Sequence, residues 1–202
     1  MSFLARGPSR FAVVVVTVLA GSLAWSGTGA AEPTMRLVAM KPQATASPDI
    51  VGRWMQVHTC DQLVDGLEEQ GLGAIAPSVV GDYFPDLSPE QLAAKDDICS
   101  GARPQRHFHF FAASGAFGSL DQHEQQVDDG TWELVDAQTL RINDGTFRFE
   151  VSGDRLTLTP LITDEQKADA LADPLVFSTA GWMVAVSYPG MTWRRVPCLG
   201  WC

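Results

Sequence analysis

The chain has 202 residues, with 14 basic and 24 acidic side chains, a net charge of −10, four cysteines and 46% hydrophobic residues. An acidic balance with no basic cluster wider than Arg194-Arg195 excludes a module that binds nucleic acid by neutralising phosphates. Charged and aromatic fractions of 19% and 9% exclude a disordered acidic tail, and the length admits one domain with its own core.

In chain order, Arg6 and Arg10 precede an apolar run from Phe11 to Trp25, and the small residues Gly27, Gly29, Ala30 and Ala31 follow. That pattern predicts a signal peptide over 1–31. The apolar run falls short of the roughly 20 residues that span a bilayer as a helix, so no stable membrane span is expected after its removal; a retained anchor is the alternative. Residues 32–49, with Pro33, Pro42 and Pro48 among Ala, Thr and Ser, read as a flexible tether. One domain over 50–202 is expected to follow, secreted or associated with the cell envelope. Cys60, Cys99, Cys198 and Cys202 all lie after the leader, where an oxidising compartment makes disulfides the default. Four cysteines allow three connectivities, and their spacing does not suit zinc.

Ile50 to His58 is β-branched and aromatic enough for a strand. Thr59-Cys-Asp-Gln62 is a capping box that opens a helix ending near Gly71, and Ser88-Pro-Glu-Gln91 opens a short one toward Ala94. These helices form an insert over 60–99 between the first two strands. From Arg106 the period changes to two. Strands are expected over 107–111, 117–123, 131–135, 139–142, 147–151 and 155–161, separated by Gly- and Asp-rich turns. Alternation places Trp132, Leu134, Leu140, Ile142, Phe147, Phe149, Val151, Leu156 and Leu158 on one face, with Glu133, Arg141, Arg148, Glu150 and Arg155 on the other. In the first meander strand it assigns Phe108 and Phe110 to the core and His107 and His109 to solvent. Thr163-Asp-Glu-Gln166 opens another helix ending near Pro174, Gly181 to Tyr188 reads as the final strand, and Thr192 to Val196 as an extended segment. The fold class is mainly β: an eight-stranded antiparallel up-and-down barrel, closed because closure removes exposed edges.

Gly52-x-Trp54 in the first strand, the antiparallel meander and the late Trp193-Arg194-Arg195 together resemble the lipocalin-like (calycin) group, over roughly 50–196. The resemblance implies that Trp54 plugs one barrel end, that Gly52 allows a close backbone approach, and that Arg194 or Arg195 stacks on the tryptophan. Such a barrel runs its last strand antiparallel to its first, with Arg195 near Trp54, so that Cys60 lies at the far end from Cys198. It therefore implies Cys60–Cys99 closing the insert and Cys198–Cys202 closing a terminal loop.

With Trp54 inward, Gln56 and His58 point inward too, two polar groups on an apolar wall that could orient a ligand; hydrogen bonding to the insert is the plainer role. Trp132, Phe147, Phe149 and Trp182 form an aromatic inner face, either core or pocket. If the hairpin pivots about Gly115, His107 faces His123 and His109 faces Asp121, a set suited to zinc, copper or haem iron. Another register breaks those pairings, and the reading adopted has no metal and no cofactor. The acidic run from Asp121 to Asp129 misses the calcium-loop pattern, and no motif of nucleophilic, metallopeptidase or phosphate-binding type occurs. The expectation is a non-catalytic binder of a small apolar or amphipathic ligand, without nucleic acid and with no protein partner specified. The rival is a solidly packed structural or protein-interaction module of the cell envelope, and a hydrolase with dispersed carboxylates is a third reading.

Overall fold

The computed structural model describes residues 49–94 and 97–198. The expected leader, all but the last residue of the expected tether, and Cys202 with its expected bridge to Cys198 lie outside them.

Strand β1 (Gly52–His58) ends at Thr59, whose side chain accepts from Gln62 N while Gln62 Oε1 accepts from Thr59 N, and this reciprocal cap starts α1 (Cys60–Glu69). A single 3₁₀ turn (Gly73–Ile75) and α2 (Ala76–Tyr83), neither expected from the sequence, precede α3 (Pro89–Ala93), which carries the Ser88/Gln91 capping box. The Cys60–Cys99 disulfide closes this insert. By the chain-entropy estimate, tethering a loop of about 40 residues stabilises the fold by about 4 kcal/mol.

The meander then runs through β2 (Gln105–Phe111), β3 (Ala116–Leu120), β4 (Gln126–Leu134), β5 (Thr139–Ile142), β6 (Gly145–Ser152) and β7 (Arg155–Pro160). After α4 (Asp164–Ala172) and α5 (Thr179–Ser187), β8 (Thr192–Val196) pairs with both β7 and β1 and closes the barrel. All eight strands pair antiparallel with their neighbours in chain order. The inner face is as the alternation of β4 to β7 implies: Trp132, Leu140, Ile142, Phe147, Phe149, Leu156 and Leu158 pack with Trp54, Phe111, Phe117 and Trp193. Outside, Arg141 and Glu133 form an exposed ion pair at 2.8 Å.

Two expectations are corrected. The segment expected as the final strand, 181–188, lies in α5 and its C-cap, and the extended segment after it is the eighth strand. Almost every side of α5 is buried, because it lies between the helical insert and the barrel: Val184 and Ala185 join the helical core, Met183 and Val186 the barrel core. A helix apolar all round has no 3.6-residue stripe and reads like a buried strand. Its start is marked by Ser178, whose hydroxyl accepts from Gly181 N. Gly181 also allows the helix to approach α2, since a Cβ there would stand 2.7 Å from Val79.

The second correction concerns β2. His107 and His109 point into the barrel, and Phe108 and Phe110 point outward, where they form a separate buried cluster with Leu120. The register with β1 decides the parity: Trp54 pairs with His109, Gln56 with His107 and Gly52 with Phe111. Arg53 covers the outer cluster, with its guanidinium 4.3 Å from the Phe108 ring centre and an ion pair to Glu124 at 3.0 Å.

Candidate functional site

The two barrel ends are built differently. At the end where β1 begins, Arg195 stacks over Trp54 at 4.2 Å, and its guanidinium donates to Val51 O at 2.8 Å and to Asp49 O. Trp54 Nε1 donates to Ile50 O. Arg194 is exposed and takes no part in the stack. Gly52 has φ +148°, and a Cβ there would stand 2.6 Å from Arg195 Nη1, so the plug needs glycine.

At the opposite end, the inward residues of β1, β2 and β3 are polar. His58, His107, His109, Gln56 and Ser119 are all buried, and Tyr188 and Trp193 complete the layer. His58 stacks on Tyr188 with centroids 3.7 Å apart and on His107 at 4.8 Å, while His109 stacks on Trp193 at 4.0 Å. Tyr188 caps α5 with φ +44°, a left-handed conformation costly for an aromatic residue.

The hydrogen bonds fix the histidine tautomers. Val186 O can only accept, so His109 Nε2, at 2.9 Å, carries the proton and its Nδ1 is an acceptor. Ser119 Oγ lies 3.2 Å from that Nδ1 and donates to it. His107 Nε2, 2.5 Å from Ser119 Oγ, is therefore the donor in the last link, and the chain runs His107 to Ser119 to His109 to Val186 O. Burial pushes all three imidazoles down: His107 to about 4, despite an opposing pull from Asp121, and His58 and His109 well below the usual value. The layer is neutral at pH 7. It is also incompletely paired, since both Gln56 amide atoms, His58 Nε2, the Tyr188 hydroxyl and Trp193 Nε1 are buried without hydrogen-bond partners.

His107 and Ser119 also form the floor of an open cavity of about 480 Å³ at this mouth. Its walls come from the end of α2 and the following loop (Asp82, Tyr83, Asp86), the β3–β4 connection (Asp121, His123), β4 (Val127, Asp128), and the entry to α5 (Phe177, Trp182). Trp182 Nε1 donates to Asp128 Oδ2 at 2.8 Å, and Tyr83 and Phe177 face each other at 6.2 Å. Burial, with the nearby carboxylates of Asp128 and Asp82, holds the Tyr83 phenol well above its usual range, so it stays a neutral donor.

Of the sequence-predicted ligand residues, Trp182 lines this cavity and His58 and Gln56 lie in the layer containing its floor. Trp132, Phe147 and Phe149 are packed in the barrel core, with Trp132 Nε1 donating to Ala112 O. The metal alternative is not assembled: His109 pairs with Ser119, His123 is exposed in the loop after β3, and Asp121 Oδ1 accepts from His123 N and Gln125 N. Among the described residues no group of three or more His, Cys, Asp or Glu side chains is arranged to hold a metal ion. Nor is any helix among them long and apolar enough to cross a membrane. Sequence reasoning missed Tyr83, Asp82, Asp86 and Phe177, which come together only through the insert and α5; the one local signal was a tyrosine among carboxylates in the middle of the insert.

No family model matches the chain, and no curated protein matches it.

Proposed function

We propose that the protein is an exported, non-catalytic binding protein of lipocalin-like type that holds a small amphipathic ligand at the helical mouth of its barrel. The observation that carries this reading is the cavity of about 480 Å³, within the range of small-molecule sites and lined by aromatic side chains with a few polar groups converging on its floor. Export is supported by the signal-like pattern of the first 31 residues and by Cys60–Cys99, a bond suited to an oxidising compartment.

The ligand body would lie against Tyr83, Phe177, Trp182 and Val127, with its polar end toward His107 and Ser119. Titration with N-phenyl-1-naphthylamine, an uncharged fluorescent amphiphile, tests this. One saturable site is expected, weakened about tenfold or more by Phe177→Arg or Val127→Arg, which charge the rim without touching the core. Absence of saturable binding, or binding indifferent to both substitutions, would leave the solid structural module as the better reading, one that the filled barrel core below the histidine layer favours.

A further inference from the structure

We propose that the ligand of this cavity is an organic cation, an amine or quaternary ammonium compound with an apolar body. The inference rests on the binding-protein reading above and adds the charge and chemical class of the ligand.

The wall residues set the sign. Asp82, Asp86, Asp121 and Asp128 line the cavity, and no Lys or Arg does. The buried imidazole at the floor is held neutral, so His107 brings no positive charge to oppose them. Carboxylates around a concave, partly desolvated site focus a negative potential into it. The aromatic groups act in the same sense, since the faces of Tyr83, Phe177 and Trp182 attract a cation through their quadrupoles. The hydrogen bond to Asp128 fixes the Trp182 ring at the wall. An anion would meet four carboxylates with no lysine or arginine beside them and, besides the neutral His107, only the His123 imidazole as a basic side chain.

The remaining features account for the rest of the ligand. Val127 is 58% exposed at the cavity wall, and the loop that carries Phe177 to it also exposes Leu175 and Val176. Such an apolar lip suits a hydrocarbon or aromatic body lying outward from the charged head. Beside the floor, the Gln56 amide, His58 Nε2 and the Tyr188 hydroxyl are each at least nine-tenths buried and without partners. Gln56 and His58 are tied to His107 by strand pairing and ring stacking. This end of the barrel thus combines a mouth that selects charge with a floor, His107 and Ser119, that adjoins an incompletely paired polar layer.

The test compares three compounds with one body and three charges: 2-(1-naphthyl)ethylamine, the matching alcohol and 1-naphthaleneacetate. Each competes with N-phenyl-1-naphthylamine on the disulfide-intact protein at pH 8 and low salt. The amine is expected to bind about tenfold more tightly than the alcohol, and the carboxylate more weakly than both. Asp82→Asn with Asp86→Asn, both at exposed positions, should shrink the amine's advantage several-fold and leave the alcohol unchanged; 0.5 M salt should do the same in part. Equal displacement by amine and alcohol, or a preference for the carboxylate, overturns the cation inference and leaves the cavity reading standing. If the dye itself has no saturable site, both fall together.

Discussion

Acidification is expected to destabilise this protein well before its carboxylates titrate, because three imidazoles are buried in neutral form. Their native pKa values lie below the ordinary value of about 6.5, with His107 at about 4 and His58 and His109 also well depressed. Between the native and unfolded values only the unfolded chain takes up the proton, so stability is complete above about pH 6.5 and falls as the pH drops from there toward 4. Each imidazole contributes a slope of about 1.4 kcal/mol per pH unit in that window. His107 alone should remove about 2 kcal/mol by pH 5, a sizeable part of the stability of an ordinary domain, and His58 and His109, depressed by the same burial, add to the loss in the same direction.

Urea unfolding at pH 7.5, 6.5, 5.5 and 5.0, followed by tryptophan fluorescence and far-ultraviolet circular dichroism, measures the slope directly. His58→Phe supplies the control: it keeps a ring against Tyr188 and Trp193, removes a nitrogen that has no partner, and should flatten the slope measurably. A stability constant to within about 1 kcal/mol between pH 7.5 and 5 would refute the neutral buried layer, since three charged imidazoles would then be tolerated inside the barrel.

Gly52→Ala should lower stability by about 2 kcal/mol, because it combines an unfavourable positive φ with a Cβ that must displace Arg195 from Trp54. A thermal midpoint unchanged from that of the parent protein would show that the guanidinium stack does not hold the closed end. Tyr188→Phe removes a buried hydroxyl that lacks a partner and is expected to be neutral or stabilising by up to about 1 kcal/mol; a loss of more than that in urea unfolding would show that the hydroxyl is hydrogen-bonded in solution.

The strands from Thr131 to Pro160 were legible because one face is apolar, the other charged, and turns such as Asn143-Asp144-Gly145 punctuate them, whereas Asp128-Asp129-Gly130, expected as a turn, pairs with β3 inside β4. The three capping boxes were legible because a Ser or Thr followed three residues later by Gln satisfies two backbone donors locally. Parity in β2 was not legible. Phe108, Phe110 and Phe111 lie on both faces, and hydropathy prefers phenylalanine inside, yet pairing with β1 turns the histidines inward. Nor was α5, whose burial on nearly every side erases its period. The cavity was out of reach for a different reason: its walls come from the end of α2, the β3–β4 connection and the α4–α5 loop, far apart in sequence and joined only by barrel closure and the insert.

The contrast between the two ends bears on why the polar layer exists. A barrel end can be sealed with little desolvation cost, as Arg195 does by stacking on Trp54 while two backbone carbonyls accept its hydrogen bonds. The other end buries three histidines, a glutamine and a serine and leaves several of their polar atoms, with the Tyr188 hydroxyl and the Trp193 nitrogen, unpaired. Each such atom costs about 1–3 kcal/mol relative to a paired one, and an aliphatic layer would have covered the same core without that cost. Below this layer the interior is packed by aromatic and aliphatic side chains, so the polarity is confined to the layer that floors the cavity. A departure from the local rule, confined to one layer and adjoining the mouth with aromatic and acidic walls, is the pattern expected where recognition rather than stability sets the residue types.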